Sequence, residues 1–159
     1  MQRGVQRDRV AASAWYPVRI YDRVLTLMMK RAGGGQTEYL VELGREGTAA
    51  LARQGMYKQM DRQAGSEPDA AFVRTLLTLA KALYSFTSWE LESFDARAGS
   101  FVIRISGAGD YPDSLRWRNC GFLETMTSQA IGRACTLVSE REPWDSIRFR
   151  VQWRQPKPS

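Results

Sequence analysis

The spacing of apolar residues changes after Ser88, and this change constrains the fold more than any other feature. Before it, apolar side chains recur every three or four residues, which is typical of one face of a helix. After it, apolar and polar residues alternate in short runs, which is typical of strands with one buried face. A helical half followed by a strand-rich half indicates an α+β domain with an antiparallel sheet.

The first half of the chain predicts three helices. The first opens at Pro17 and ends at the three glycines 33–35. Its apolar face is predicted to hold Val18, Tyr21, Val24, Leu25 and Met28. The second is predicted to begin with Thr37 as its N-cap and to run to about Gln54, and the third to follow Asp69 as its cap. The third is the most hydrophobic helix, so we expect it to be central.

The second half predicts a hairpin over 89–106, a fourth helix over 115–131 closed by Gly132, and strands over 134–139 and 147–153. The four strands are expected to form one antiparallel sheet packed on the helices. In the first strand the alternation places Glu90, Glu92 and Phe94 on the outward face and Trp89 on the buried face.

The length of 159 residues fits one compact domain, which we place over residues 16–154. Residues 1–15 are predicted to be a disordered or loose arm, and residues 155–159 a disordered tail. No run reaches the roughly 18 apolar residues that span a bilayer. The N-terminal stretch is also too short and too polar for a secretory signal, so a cytoplasmic location is expected.

Histidine is absent from the chain, which excludes a Ser-His-Asp triad, a His-ligated zinc site and a haem held by a proximal histidine. Cys120 and Cys135 lie among apolar neighbours and are expected to be buried, reduced thiols. The glycines 33–35 lack the preceding strand and the lysine of a phosphate-binding loop. These absences predict a domain without catalytic residues, metal or cofactor.

Two exposed carboxylates leave an enzymatic alternative open. Glu90 and Glu92 lie two residues apart on one strand, about 7 Å from each other, and Tyr57 is a further candidate. Outward positions on the other strands carry three arginines, Arg104, Arg148 and Arg150. Opposite charges across an exposed sheet face pair with each other, so the pattern favours an ion-pair ladder over acid–base chemistry.

The net charge is +6 and is carried mainly by arginine, so a nucleic-acid partner is an alternative hypothesis. The arginines, however, are spread along the chain and interleaved with acids. The aromatic residues of the strands mainly fall on the buried face, away from those arginines, which argues against a stacking platform for bases.

Several weak motifs follow one another over residues 16–154. They are LGREG at 43–47, a helix ending near Tyr84, Trp89 with Glu90, a loop at Pro112, NCGFLE at 119–124, Gly132, CTLVS at 135–139 and IRFRVQW at 147–153. Their order and spacing resemble the 4-vinyl reductase domain and its relatives. These include the small TRAPP vesicle-tethering subunits, haem-NO-binding sensors and a myxobacterial paralogous family.

The resemblance implies helices on one face of an antiparallel sheet, frequent dimerisation through helices, and a pocket for a hydrophobic small molecule in some members. It also implies sensing or scaffolding instead of catalysis. Cys120 matches the earlier cysteine of the zinc-binding pattern in phenol-sensing members, but the late cysteines are missing from residues 140–147. The histidine of the haem-binding members is missing, as is the acylated cysteine of TRAPP-like members, so a cofactor-free member is expected.

Two sets of residues are candidates for binding. The first would line a pocket for a hydrophobic ligand and comprises Tyr57, Phe72, Leu76, Tyr84, Trp89, Phe122 and Met126. The second is a small-residue seam on the second helix, made of Leu40, Gly44, Gly47 and Ala50, which packs either within the chain or across a dimer. The sequence thus favours a non-enzymatic cytoplasmic signalling domain that binds a small hydrophobic ligand or a protein partner, as a homo- or heterodimer.

Overall fold

The computed structural model describes residues 16–55, 69–143 and 145–154. Within these ranges the chain forms helices α1 (Val18–Ala32), α2 (Thr37–Arg53), α3 (Ala70–Leu83) and α4 (Asp113–Ile131), and strands β1 (Ser88–Asp95), β2 (Ser100–Ser106), β3 (Cys135–Glu142) and β4 (Ser146–Trp153). The predicted α+β class, with helices followed by a hairpin, a helix and two strands, is confirmed. The predicted arm at 1–15, the tail at 155–159 and Tyr57 lie outside the described residues.

The helix ends follow from local backbone chemistry. Gly34 and Gly35 adopt φ values of 59° and 82°, which turn the chain out of α1, and Gly132 ends α4 at φ 64°. The Asp69 side chain accepts a hydrogen bond from the Phe72 backbone N–H at 2.9 Å, as predicted for the cap of α3. Thr37, however, is the first helical residue of α2 and not its N-cap.

The sheet has the strand order β1-β2-β4-β3, and all neighbouring strands are antiparallel. The inner positions of β2 and β4 are buried against the helices; they are Phe101, Ile103, Ile105, Ile147, Phe149 and Val151. In β1 the register shifts between Leu91 and Ser93, which is a β-bulge. The bulge pairs Phe94 with Phe101 and turns its ring toward Trp153, so the prediction that Phe94 faces outward is wrong.

Helix α4 holds the central position that the sequence assigned to α3. Twelve of its residues are buried, on all sides of the helix. It packs on β3 and β4 on one side and on α1 and α2 on the other, whereas α3 packs on β1. Hydrophobicity therefore predicts the wrong central helix, because α4 buries polar side chains such as Asn119 and Thr127 as well as apolar ones. None of the described helices is both long enough and apolar enough to cross a membrane.

Candidate functional site

Helices α2 and α4 cross in direct backbone contact at two glycines. A Cβ atom at Gly44 would lie 2.0 Å from the carbonyl oxygen of Arg118, and one at Gly121 would lie 1.9 Å from the carbonyl oxygen of Val41. Any larger residue would overlap the neighbouring backbone, so the crossing requires glycine at both positions. The close approach expected at Gly44 is thus a contact within the chain, between α2 and α4.

The other three candidate seam residues lie at different depths on α2. Leu40 is fully buried and Ala50 is half-buried. A Cβ atom added at Gly47 would lie 3.9 Å from Arg118 Nη2, which is an ordinary contact. The partner glycine of the crossing is Gly121, which lies in the NCGFLE segment and is not among the predicted seam residues. Its signal was a glycine in the interior of a helix, where it costs about 1 kcal/mol relative to alanine.

The candidate pocket residues belong to the packed interior. Five of them are buried in the hydrophobic core: Phe72, Leu76, Trp89, Phe122 and Met126. Tyr84 is half-buried and stacks on Trp89, with ring centroids 5.6 Å apart and ring planes at 11°. The structure therefore brings these six described residues into the core and places none of them around the open cleft described below.

A buried polar network links three residues that the sequence reasoning did not connect. The Tyr84 hydroxyl donates to Asn119 Oδ1 at 3.0 Å, and Asn119 Nδ2 donates to the Tyr111 hydroxyl. Burial is the main reason why the pKa of Tyr111 lies well above its usual value, and the neighbouring Tyr84 raises it further. Tyr111 therefore stays neutral, and the network holds the β2–α4 loop against α4.

An open cleft of about 930 Å³ lies where the start of α1 meets the α3–β1 and β2–α4 loops. Its lining comprises Tyr16, Pro17, Val18, Arg19 and Asp22 from the start of α1, Ser85 and Phe86 from one loop, and Gly109, Asp110, Tyr111 and Pro112 from the other. The Phe86 side chain is 40% exposed, and its ring centroid lies 5.9 Å from that of Tyr111. An exposed ring beside a buried ring gives the cleft an aromatic wall.

The loop wall of this cleft is held by hydrogen bonds to β3 and to the β3–β4 turn. Arg141 donates to the carbonyl oxygen of Ala108 at 3.1 Å and to the Asp113 carboxylate at 3.0 Å. The Ala108 N–H donates to the Asp145 carbonyl oxygen at 3.0 Å. Partial burial alone would raise the pKa of Asp113, but the hydrogen bonds and charges of Arg141 and Arg116 lower it. The wall is therefore preorganised.

The charged groups of the cleft come from opposite sides. On α1, the Asp22 carboxylate accepts a hydrogen bond from the Ser114 hydroxyl of α4 at 2.6 Å. Asp110 is exposed on the loop side, and Arg19 is exposed on α1. Two carboxylates and one guanidinium therefore line the cleft, which favours a neutral or cationic ligand over an anionic one.

Both cysteines are buried, and burial raises the pKa of the Cys120 and Cys135 thiols. Protonated thiols are poor nucleophiles and poor metal ligands. Within residues 16–55, 69–143 and 145–154 there is no cluster of three or more histidine, cysteine, aspartate or glutamate side chains that could hold a metal ion. The sequence prediction of a domain without metal or cofactor stays a prediction.

The outward face of the sheet carries a ladder of ion pairs, as predicted for Glu92. Its carboxylate lies 2.7 Å from Arg148 Nε and 3.7 Å from Arg104 Nε. Glu142, which the sequence reasoning missed, pairs with the same two arginines and lies 3.3 Å from Arg104 Nη2. Glu90 is exposed and stands opposite Arg104 in register. The ladder therefore pairs Arg104 and Arg148 with carboxylates, and these are two of the three outward arginines that a nucleic acid would need.

Helix α1 docks on the protein by a narrower face than the sequence predicts. Of the predicted face, only Leu25 is buried, whereas Val24 is 49% exposed. Ile20 and Leu27 are also exposed, at 47% and 55%. The Tyr21 ring lies 5.7 Å below the guanidinium of Arg118. Apolar side chains thus continue around α1 onto its solvent side.

Comparisons with protein-family profiles and with curated protein sequences find no match. Solved structures do match. The unliganded Fe(II) H-NOX protein from K. algicida aligns with a TM-score of 0.62 at 8% identity, over 90% of this chain and 76% of the other. The trafficking protein particle complex subunit 3 from Naegleria fowleri, covalently bound to palmitic acid, gives 0.57 at 12% identity, over 89% and 95%.

The phenol-responsive sensory domain of the transcription activator PoxR, solved with phenol, aligns with a TM-score of 0.55 at 11% identity, over 88% of this chain and 76% of the other. At such low identities these likenesses establish the fold alone. The H-NOX protein, the trafficking protein particle complex subunit and the phenol-responsive sensory domain share this fold, which agrees with the fold that the resemblance implies. None of the matches assigns the chain to the 4-vinyl reductase domain or to the myxobacterial family.

Proposed function

We propose that this chain is a non-enzymatic cytoplasmic signalling domain that binds a small aromatic or hydrophobic molecule in the cleft between α1 and the two loops, and that it works as a dimer. The observation that carries the proposal is the aromatic wall of the cleft, where the exposed Phe86 ring lies beside the buried Tyr111 ring. A flat apolar ligand would cover the exposed ring and gain the free energy of its burial.

The cleft fits a sensing role better than the core does. The six described candidate pocket residues pack among themselves and their core neighbours, and so they would have to move apart to admit a ligand. The cleft needs no such rearrangement, because its loop wall is already fixed by Arg141 and by the turn at Asp145. A preformed site loses less conformational entropy when the ligand binds.

The cleft is also connected to the rest of the domain in a way that a sensor requires. Tyr111 reaches Asn119 of α4 and through it Tyr84 beside β1. Asp22 ties the first turns of α1 to Ser114 at the start of α4. A ligand that shifts the loop or α1 would therefore act on the central helix. The phenol-responsive sensory domain of PoxR, which shares the fold, supports this proposal.

The test is a titration of ¹⁵N-labelled protein with three aromatic probes that differ in charge: phenol, benzylamine and benzoate. We expect the backbone amide signals of Ser85, Phe86, Gly109 and Tyr111 to shift with phenol and benzylamine, and to shift least with benzoate because of the two carboxylates. Absence of any shift with all three probes, or shifts confined to amides away from the cleft, would contradict the proposal.

Two matched variants sharpen the test. Phe86→Ala removes the exposed ring and is expected to weaken probe binding about fivefold, which corresponds to the roughly 1 kcal/mol of an aromatic contact. Val138→Ala removes a large apolar side chain that is 58% exposed on β3, outside the cleft lining, and should leave binding unchanged. If Phe86→Ala and Val138→Ala change probe binding equally, the aromatic wall is not the binding element.

A further inference from the structure

The solvent side of α1 carries three exposed apolar side chains on one face. Ile20, Val24 and Leu27 are spaced by four and three residues, and each is about half exposed. At this spacing the three side chains lie next to one another along the helix and form a continuous strip, here called the outer stripe. Contiguous exposed apolar patches are characteristic of surfaces that bind a protein, a membrane or a ligand.

One border of the outer stripe is basic. Arg23 follows Ile20 by three residues and precedes Leu27 by four, and Lys30 follows Leu27 by three, so both lie beside the stripe. Both side chains are exposed. A partner that covers the stripe would therefore meet this basic border, and a carboxylate-bearing surface would fit against it.

Such a surface is present on the neighbouring helix of this same chain. Glu38, Glu42 and Glu46 are spaced four residues apart on α2 and are all exposed, forming an acidic row. Glu42 is already paired with Arg45 of the same helix at 2.9 Å, so Glu38 and Glu46 at the two ends of the row are the carboxylates offered to a partner. They lie on the side of α2 opposite to Leu40 and Gly44, which are buried. Helices α1 and α2 pack against each other and on α4. The stripe lies on the side of α1 away from the buried Leu25, so the stripe and the row both face outward from the same pair of helices.

We infer that a second copy of this chain covers the outer stripe, with the basic border of each copy against the acidic row of the other. The inference rests on the dimeric state proposed above and adds the surface that forms it. In a two-fold dimer the same contact occurs twice, so a surface that carries both a basic border and an acidic row is complementary to itself. The two outer stripes then bury each other, and the paired charges fix the orientation.

The test uses two charge-reversed forms, alone and mixed. The first form carries Arg23→Glu and Lys30→Glu, and the second carries Glu38→Lys and Glu46→Lys. All four side chains are exposed, and circular dichroism would verify that each form keeps its helix content. These substitutions avoid the cleft lining and the α2–α4 crossing, so probe binding at the cleft serves as a second check of the fold.

Each reversed form alone places like charges across both contacts of a two-fold dimer, so sedimentation equilibrium should show at least a tenfold weaker dimer than wild type. An equimolar mixture restores opposite charges at both contacts, and a heterodimer should form with an affinity near that of wild type. Reversed forms that dimerise as tightly as wild type, or a mixture that stays monomeric, would overturn the inference while leaving a dimer through another surface in place. Wild-type protein that is monomeric at about 1 mM, where any dimer with a dissociation constant of about 1 mM or below would be populated, would overturn both the inference and the proposed dimer.

Discussion

The two faces of the α1–α2 layer show how differently small and apolar residues can be used. On the inner face, α2 meets α4 so closely that only glycine fits at Gly44 and Gly121. On the outer face, Ile20 and Leu27 of α1 remain about half exposed, with charged side chains beside them. The inner contact is complete within one chain, whereas the outer surface is the one that we propose a second copy buries. Small residues on a helix can thus be explained by close packing within the chain. Exposed apolar residues on a helix that is already docked indicate a contact with another molecule.

The inner contact can be broken by adding a single methyl group. Gly44→Ala and Gly121→Ala are each expected to lower the free energy of unfolding by about 4 kcal/mol, above the usual range for overpacking, because the obstructing atoms are backbone carbonyl oxygens. Gly47→Ala on the same helix is the control, and it should stabilise the protein by about 0.5–1 kcal/mol through its helix propensity. Urea denaturation measures all three; equal effects at positions 44 and 47 would contradict the backbone contact.

The two sides of α1 can be compared with one kind of substitution. Leu25 is 2% exposed and Leu27 is 55% exposed. Leu25→Ala should therefore cost about 3 kcal/mol of unfolding free energy, and Leu27→Ala less than about 0.5 kcal/mol in dilute, monomeric protein. Thermal or urea unfolding at low protein concentration checks both. A large loss for Leu27→Ala in the monomer would mean that the outer stripe packs within the chain.

The expected cost of breaking the Tyr111–Asn119–Tyr84 network lies between the costs expected for Leu25→Ala and Leu27→Ala. Asn119→Ala removes the hydrogen-bond partner of two tyrosine hydroxyls and is expected to cost about 2 kcal/mol of unfolding free energy. Gln129→Ala is the control, because it truncates an exposed side-chain amide on the same helix, and its expected effect is near zero. Urea denaturation compares the two variants. An equally small effect at position 119 would show that water satisfies the hydroxyls.

The same network predicts a weakness at high pH. The pKa of Tyr111 is raised in the folded state, mainly by burial, so its stabilising effect is complete below the unfolded value of about 10 and is lost as pH rises above it. The slope attributable to this group is at most about 1.4 kcal/mol per pH unit. The free energy of unfolding in urea, measured between pH 9 and pH 11 in steps of about half a unit, should fall less steeply with pH in Tyr111→Phe than in wild type. Parallel slopes in the two proteins would contradict the burial of a neutral phenol.

The sequence predicted the order of the elements because each half has a clear period. It did not predict which side of α1 docks, because the periodicity marks an apolar stripe without saying which edge of it meets α4. Only Leu25 of the five predicted residues is buried, and Ile20 and Leu27 were left out of the prediction. The bulge between Leu91 and Ser93 is likewise invisible to a strict alternation, and it reverses the side of Phe94.

The candidate site was harder to predict than the fold, for a physical reason. The cleft is built by the start of α1 and two loops, whose positions depend on contacts between distant residues such as Arg141 and Ala108. Asn119 and Tyr111 carry no local pattern that indicates their pairing. The aromatic residues chosen as pocket candidates are large and apolar, and these properties also favour the core position in which they lie.

The most direct test of the outer surface is hydroxyl-radical footprinting of wild-type protein at low and high concentration. Leu40, which is fully buried, and Val138, which is 58% exposed on β3, serve as the protected and exposed references. We predict that Ile20 and Leu27 react readily in dilute protein and become protected at high concentration, while both references stay constant. Reaction rates for Ile20 and Leu27 that are the same at both concentrations, whether high or low, would contradict the account.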